Sequence, residues 1–131
     1  MPTVTGPSDA APYLTTIALE RSHTLIADEP TDLGGQDLGP TPGELLAASL
    51  SACTCITVRM YAARKQWPLQ SIEAIVTFER DERHVITSLG IVLQMHGDLG
   101  TEQRQRLLKV AEQCPIHKTL TGAVPIATQL E

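Results

Sequence analysis

Three cysteines, Cys53, Cys55 and Cys114, are the side chains in this sequence with the most chemistry available to them. A thiolate is both a nucleophile and a metal ligand, and two thiols can form a disulfide. The number is odd and the N-terminal residues do not resemble a secretory signal, so a structural disulfide framework is not expected. Three alternatives stay open at this point: free cysteines that fill a core, a metal site, or redox chemistry.

Cys114 is the cysteine with the clearest local environment. Pro115 follows it and suits the first position of a new helix, which predicts that Cys114 is the N-cap. A thiol at an N-cap faces unpaired backbone N–H groups, which lower its pKa. Cys53 lies in the middle of a predicted helix and would need a nearby cation to ionise, because burial alone raises a thiol pKa. We therefore expect the local structure to lower the pKa of the Cys114 thiol, and we find no local feature that would lower the pKa of the Cys53 thiol.

Cys53 and Cys55 lie on one helix but point about 200° apart, so only one of them can face a given site. The face of Cys53 is shared by Leu46, Ser49, Leu50, Ile56, Thr57 and Met60. Zinc bound by Cys53, Cys55, Cys114 and His117 is the least favoured alternative, since Cys-x-Cys on a helix diverges and no Cys-x-x-Cys pair exists.

The helix that carries Cys53 has a well-marked start. Thr41, Pro42 and Glu44 form a capping-box pattern, and the apolar pattern continues to about Gln66, ahead of Pro68. Roughly 25 residues give a helix of ~37 Å, which is long for this chain. Its uncharged stretch, 45–58, is shorter than the ~20 residues of a membrane span. That stretch is uncharged on every side, so we expect a partner subunit to cover part of it.

The remaining pattern predicts an α+β fold of order ββαββαβ, with strands grouped in hairpins. A flexible arm at 1–12 is expected to precede a single domain at 13–131. The predicted strands are Tyr13–Glu20, Thr24–Asp28, Ser71–Glu79, Val85–Met95 and Val124–Leu130. The second helix, Thr101–Gln113, is amphipathic, with Leu107, Leu108, Val110 and Ala111 predicted to point inward.

The charge balance limits the possible partners. A net charge of -5 and a pI near 5.3 argue against nucleic acid and against an anionic membrane, both of which require clustered Lys and Arg. With no targeting segment recognised, we expect the protein to be cytoplasmic.

Three ordered motifs resemble those of the OsmC/Ohr family. The segment 39–46, followed by Cys53 nine residues after Glu44, is similar to the family's helix motif. The segment 28–30 followed by Gly34 and Gly35 is similar to the loop before that helix, and 114–120 is similar to the second cysteine motif. The resemblance covers about residues 23–130.

This resemblance implies an OsmC-like α+β fold in an intertwined homodimer, with long central helices between sheets. It implies a peroxidase that reduces organic hydroperoxides, and we expect no cofactor and no metal. Cys53 would be the attacking thiolate, which becomes a sulfenic acid, and Cys114 would resolve it as a disulfide. An external thiol or a dihydrolipoyl reductant would then reduce the disulfide. Arg21, at the turn of the first hairpin, occupies the position of the arginine that stabilises the thiolate in Ohr-like members.

The sequence departs from the family pattern at two positions. Gly43 stands where the family has the acid that holds the arginine, and Cys55 is an additional thiol. The departure at Gly43 favours an alternative function, in which the protein is an OsmC-like dimer that acts in binding or in stress without significant peroxidase activity.

Overall fold

The computed structural model describes residues 2–5 and 11–131. The elements in chain order are strands β1 (Thr3–Thr5), β2 (Thr15–Ala18) and β3 (Thr24–Ala27), helix α1 (Pro42–Lys65), strands β4 (Leu69–Arg80) and β5 (Ile86–Gly97), and helices α2 (Thr101–Ala111) and α3 (Pro115–Thr121). The α+β class predicted from the sequence is confirmed. The chain forms two compact units, Met1–Leu46 and Ala47–Glu131, which are described in turn.

The first unit is an antiparallel sheet of order β1-β2-β3, followed by a loop. Strand β1 falls within the predicted arm at 1–12, of which residues 1 and 6–10 lie outside the described part of the chain. Asp28 organises the loop: its buried carboxylate accepts the backbone N–H groups of Glu29, Gln36 and Leu38. Three donors on one buried carboxylate offset the cost of its burial and tie the loop down before α1 begins.

Helix α1 begins with the capping box that the sequence predicts. The Thr41 hydroxyl accepts the N–H of Glu44 at 3.2 Å, and the Glu44 carboxylate accepts the N–H of Thr41 at 3.0 Å. The helix ends at Lys65, three residues before Pro68, close to the predicted end at Gln66. It buries a narrow stripe spaced four residues apart, at Leu50, Thr54, Val58 and Ala62.

The second unit packs this stripe against a hairpin and α2. Strands β4 and β5 pair as the predicted hairpin, with Ile72 opposite Met95 and Phe78 opposite Leu89. Two side chains of α1 fix the helix to β4, because the Ser51 hydroxyl donates to the Ala74 carbonyl at 2.6 Å and the Cys55 thiol donates to the Ile72 carbonyl at 3.9 Å. The core consists of Val58, Ala62, Leu99, Leu107 and Ala111, with Tyr61, Trp67, Leu69, Ile72, Leu93 and Met95 packed around it.

Two predictions about this unit are wrong. Leu108 points outward and is 52% exposed, because α2 buries the side of the helix that carries Leu107, Val110 and Ala111. The predicted last strand, Val124–Leu130, is extended but unpaired, since a strand needs a hydrogen-bonding neighbour and none lies beside this segment in the described residues. The alternating pattern of the segment leaves Val124, Ile126 and Leu130 exposed.

Much of α1 is uncovered in the single chain. By length and composition alone it could cross a membrane, a test that the core helix of a soluble protein also passes, and 22% of the 18-residue window that meets the test is buried. Ile56 and Met60 lie on its outer side and are 53% and 61% exposed. An apolar face of this kind on a long helix is the usual sign of a contact outside the chain.

Candidate active site

Cys53 lies on the flank of α1, beside the buried stripe, and is partly exposed. The helix carries it between Leu50 and Thr54, which anchor the buried side, and Ile56, which faces outward. Thr57 follows one turn later on the same flank, since residues four apart lie one above the other on a helix. The position gives Cys53 a fixed backbone and leaves the residue partly exposed.

Cys114 is the N-cap of α3, as the sequence predicts. Pro115 occupies the first helical position, and the Cys114 sulfur accepts the N–H of His117 at 3.5 Å. The Cys114 carbonyl accepts the N–H of Lys118 at 3.1 Å, which closes the first turn. The side chain of Cys114 is completely buried.

The two sulfurs are in hydrogen-bonding contact. The Cys114 thiol donates to the Cys53 sulfur, which also accepts the backbone N–H of Ile116 and the hydroxyl of Thr57. Ile116 is the second residue of α3, so its N–H is one of the donors that a helix start leaves without an internal partner. The start of α3 therefore serves both cysteines: His117 donates to Cys114, and Ile116 donates to Cys53.

These contacts set the pKa of Cys53. Burial acts to raise the pKa of the Cys53 thiol, but the hydrogen bonds from Cys114, Ile116 and Thr57 together outweigh it and bring the pKa below its ordinary value. All three donors are neutral. Each donates to the ionised sulfur, and hydrogen bonds to a charged acceptor are the stronger kind.

The pKa of Cys114 is displaced in the opposite direction. Burial raises the pKa of the Cys114 thiol first, and the hydrogen bond it donates to Cys53, together with the negative charge there, raises it further. The backbone N–H groups of His117 and Ile116 oppose these effects without overcoming them. The expectation that Cys114 is the more readily ionised cysteine is therefore wrong, although its N-cap position is right. The sequence shows the cap but not the burial or the neighbouring thiolate.

Cys55 lies on a different side of α1 from Cys53. Its thiol donates to the Ile72 carbonyl of β4, next to the Ser51 hydroxyl that donates to Ala74. Both side chains fasten the helix to the hairpin. The sequence predicts that the two side chains diverge by about 200°. Cys55 accordingly contacts the hairpin, whereas Cys53 pairs with Cys114.

Arg21 lies in the first unit, in a short 3-10 turn, Glu20–Ser22, between β2 and β3. Its backbone is left-handed, with φ 58° and ψ 33°, and Ser22 is also left-handed at φ 64°. Two successive residues of this kind make a tight hairpin turn whose side chains are exposed. The role of Arg21 stays a prediction.

The sequence alone does not assign Thr57 or Ile116 a contact with Cys53. Spacing could have pointed to Thr57, because it stands one turn after Cys53 on the same face of α1. Ile116 acts through its backbone, so its side chain carries no signal. Within residues 2–5 and 11–131, no group of three or more His, Cys, Asp or Glu side chains is placed to hold a metal ion.

Known structures share this fold. An OsmC-like protein from Mycoplasma pneumoniae aligns with a TM-score of 0.78 and 19% identity, over 93% of this chain and 86% of its own. The organic hydroperoxide resistance protein OsmC from Legionella pneumophila aligns at 0.65 and 21% identity, over 93% and 90% of the two chains. The organic hydroperoxide resistance protein OhrB of Bacillus subtilis aligns at 0.60 and 25% identity, over 93% and 91%. No curated protein sequence matches at a significant level.

A family model covers most of the chain. The model described as OsmC-like protein matches residues 34–129, a range that contains the capping box of α1, both members of the cysteine pair and the start of α3. The chain belongs to the OsmC-like protein family.

Proposed function

We propose that this protein is a thiol-dependent peroxidase that reduces organic hydroperoxides, with Cys53 as the nucleophile and Cys114 as the resolving cysteine. The observation that carries the proposal is the hydrogen bond between the two thiols, which pairs a partly exposed sulfur of lowered pKa with a buried sulfur of raised pKa. The thiolate is the reactive form of cysteine, and only an exposed thiolate meets a peroxide from solvent.

In the first step the Cys53 thiolate attacks the terminal oxygen of the hydroperoxide. A sulfur–oxygen bond forms and the oxygen–oxygen bond breaks, so the leaving alkoxide takes up a proton from solvent and departs as an alcohol. Cys53 is oxidised to a sulfenic acid, and the hydroperoxide is reduced by two electrons.

In the second step the sulfur of Cys114 attacks the sulfur of the Cys53 sulfenic acid. A disulfide forms, the sulfur–oxygen bond breaks, and the hydroxide leaves as water with the thiol proton of Cys114. The hydrogen bond between the two thiols supports this step, because it brings the reacting sulfurs together. An external dithiol, or a reductant of the dihydrolipoyl type, then returns the pair to the reduced state by thiol–disulfide exchange and becomes a disulfide itself.

The preference for organic hydroperoxides is supported by the surroundings of Cys53 and by relatives. Ile56, three residues after Cys53, is exposed and lines a groove of ≈ 510 Å³ with Met60, Ala63 and Trp67, to which Arg59 and Gln70 add polar side chains. Apolar side chains about one helical turn from the nucleophile favour a substrate that carries an alkyl or aryl group. The Bacillus subtilis protein, at 25% identity, is an organic hydroperoxide resistance protein.

Two further parts of the proposal concern Arg21 and assembly. We propose that Arg21 adds a positive charge near the site, as the family resemblance implies. We also propose a homodimer, because Met60 on the outer side of α1 and Leu130 in the unpaired tail are 61% and 99% exposed in the single chain. A second copy would cover apolar side chains that a single chain leaves in water.

The experiment that tests the function is single-turnover oxidation. Reduced protein is mixed with one equivalent of cumene hydroperoxide, and the products are separated by non-reducing mass spectrometry after proteolysis. We expect a Cys53–Cys114 disulfide and one equivalent of alcohol, and we expect the Cys53→Ser variant to consume no hydroperoxide. Cys55→Ser is the control and should react like the natural chain, since Cys55 contacts β4.

Two results would refute the proposal. Full turnover by Cys53→Ser would show that Cys53 is not the nucleophile. Unreactive thiols in the natural chain would support the alternative, in which the protein acts in binding or stress without significant peroxidase activity.

A further inference from the structure

The end of α1 and the exposed side of α2 carry cations that surround one aromatic ring. Arg106 donates from Nε to the Tyr61 hydroxyl at 3.0 Å, and its guanidinium lies 5.5 Å from the centre of the Tyr61 ring. The Lys65 ammonium lies 5.7 Å from the same centre. Both distances are within the range of a cation–π contact. We call Tyr61, Lys65 and Arg106 the basic cluster.

The basic cluster has a fixed position in the second unit. Arg106 reaches Tyr61 from 45 positions further along the chain, so the fold and not the local sequence assembles the cluster. Tyr61 packs edge-on against Trp67, with ring centres 5.6 Å apart, and both rings pack against the core. A guanidinium that is already hydrogen-bonded and held over a fixed ring loses less freedom when it binds a partner.

The basic cluster lies in a region of concentrated positive charge on an acidic protein. The segments 59–65 and 101–111 contain six of the ten Lys and Arg residues and one of the fifteen Asp and Glu residues, whereas the net charge of the chain is -5. No carboxylate among the described residues forms an ion pair with Lys65 or Arg106. Cations held together without a counter-ion repel one another, so a negatively charged partner would stabilise the arrangement.

The Tyr61 phenol is affected by this charge. The hydrogen bond from Arg106 lowers the pKa of Tyr61 most, and the charges of Arg106, Lys65 and Arg64 lower it further, against the opposing effect of burial. The direction agrees with the measured contacts: a negative charge is favoured at this place on the surface.

We propose that the basic cluster is a docking surface for a partner protein that presents a group of carboxylates. Lys65 and Arg106 are exposed, so several side chains of a partner can reach them at once. Among the described residues Arg106 donates only to Tyr61, which leaves the terminal nitrogens of its guanidinium for a carboxylate held by two hydrogen bonds. Tyrosine and arginine are also among the residue types that contribute most to binding at protein interfaces.

A protein fits the basic cluster better than a small anion or a nucleic acid. One exposed ion pair contributes little, so a single phosphate or carboxylate would be held weakly, whereas a surface engages several cations together. A nucleic acid needs a stripe of cations that follows its phosphates. Outside 59–65 and 101–111 lie 14 of the 15 acidic residues and only four of the ten basic ones, which would repel an extended polyanion.

The test measures binding of a fluorescein-labelled oligoglutamate peptide to the whole chain by fluorescence anisotropy. Emission from Trp67, the only tryptophan of the chain and a neighbour of Tyr61, reports whether the peptide binds at the basic cluster. An oligothymidylate with the same number of charges is titrated in parallel. Thermal unfolding of each variant confirms that it is folded.

Four variants separate position from total charge. Arg106→Gln and Lys65→Gln each remove one cation of the basic cluster, and Tyr61→Phe keeps the charge but removes the hydroxyl that holds Arg106. Arg80→Gln is the matched control, because Arg80 also lies over a ring, that of Phe78 at 5.0 Å, but on the β4–β5 hairpin.

We expect the peptide to bind the natural chain, to change the emission of Trp67 and to dissociate as salt is added. Arg106→Gln and Lys65→Gln should each weaken binding by about fivefold, the upper range for one exposed ion pair. Tyr61→Phe should weaken it by about threefold, because Arg106 must then be ordered on binding. Arg80→Gln should bind like the natural chain.

Four results would overturn the proposal: no binding of the peptide by the natural chain, full affinity in a folded Lys65→Gln/Arg106→Gln double variant, an equal loss in Arg80→Gln, or tighter binding of the oligothymidylate. The last would assign the surface to a different class of partner. Unchanged affinity in Tyr61→Phe would overturn the anchoring of Arg106 by Tyr61. No peroxide or reductant is used, so the outcome is independent of the proposed cysteine chemistry.

Discussion

Cys114 has three roles in this structure, and two substitutions separate them. It caps α3 by accepting the His117 N–H, it donates to the Cys53 sulfur, and by our proposal it resolves the sulfenic acid. Cys114→Ser keeps a capping acceptor and a donor, since serine is a favoured N-cap residue, but it cannot form a disulfide. Cys114→Ala removes all three functions.

The expected magnitudes follow from these contacts. Loss of the cap and of a fully buried sulfur should lower the free energy of unfolding of Cys114→Ala by about 2 kcal/mol. Loss of a hydrogen bond to the Cys53 thiolate costs about 1.5 kcal/mol, which corresponds to about a tenfold lower thiolate fraction on the acid side of its pKa. Cys114→Ser should avoid most of both losses, because its hydroxyl can replace each contact.

The assay is rapid mixing with cumene hydroperoxide over a range of pH, with trapping of the sulfenic acid by dimedone. In the natural chain the pKa of Cys53 is lowered, so its reactivity persists to lower pH and falls only as the pH drops through that lowered pKa. We expect Cys114→Ser to accumulate trapped sulfenic acid at close to the natural rate. Cys114→Ala should accumulate it more slowly, with a profile moved to higher pH.

Equal first-step rates and equal profiles in the two variants would refute the donor role of Cys114. Absence of accumulated sulfenic acid in both, with continued turnover, would refute its resolving role. The two results are independent, so either part of the reasoning can fail alone.

Two other proposals have direct tests. Arg21→Gln should lower the rate of the first step by about tenfold if a cation there stabilises the thiolate. Arg83 is an exposed arginine in the β4–β5 turn, so Arg83→Gln is the control and should leave the rate unchanged. Equal rates in the two variants would refute the role of Arg21. Light scattering should give twice the chain mass of 14.2 kDa. Met60→Glu should shift the protein towards monomer, because it places a charge on the outer side of α1. A natural chain that is monomeric at all concentrations would refute the homodimer.

The parts of the fold that sequence predicts well are those fixed by local chemistry. The capping box at Thr41 and Glu44, the alternation in β4 and β5, and the proline after Cys114 each determine structure within a few residues. The segment 124–130 has the same alternation as β4, but a strand is defined by its neighbour, and the described residues supply none. Local pattern was sufficient for the hairpin because its two strands follow one another along the chain.

The pKa order of the cysteines could not be predicted for a related reason. Cys53 has no helix start of its own, but α3 brings it the N–H of Ile116 from 63 positions further along the chain (116 − 53). Cys114 has a helix start, but it is buried beside an anion. Both corrections come from tertiary contacts, which spacing within one motif does not show.

The causes of the raised pKa of Cys114 also suggest why the two steps would occur in order. Two of them, its hydrogen bond to Cys53 and the negative charge there, exist only while Cys53 is a thiolate. Once Cys53 becomes a neutral sulfenic acid, both causes disappear, whereas the N–H groups of His117 and Ile116 that favour the Cys114 thiolate remain. By our proposal, oxidation of Cys53 removes two of the three causes that raise the pKa of Cys114 and leaves burial, the largest, in place, so the thiolate of Cys114 is favoured more after the first step than before it. By the same proposal, the contact that lowers the pKa of Cys53 raises that of Cys114 and so keeps Cys114 from competing for the peroxide.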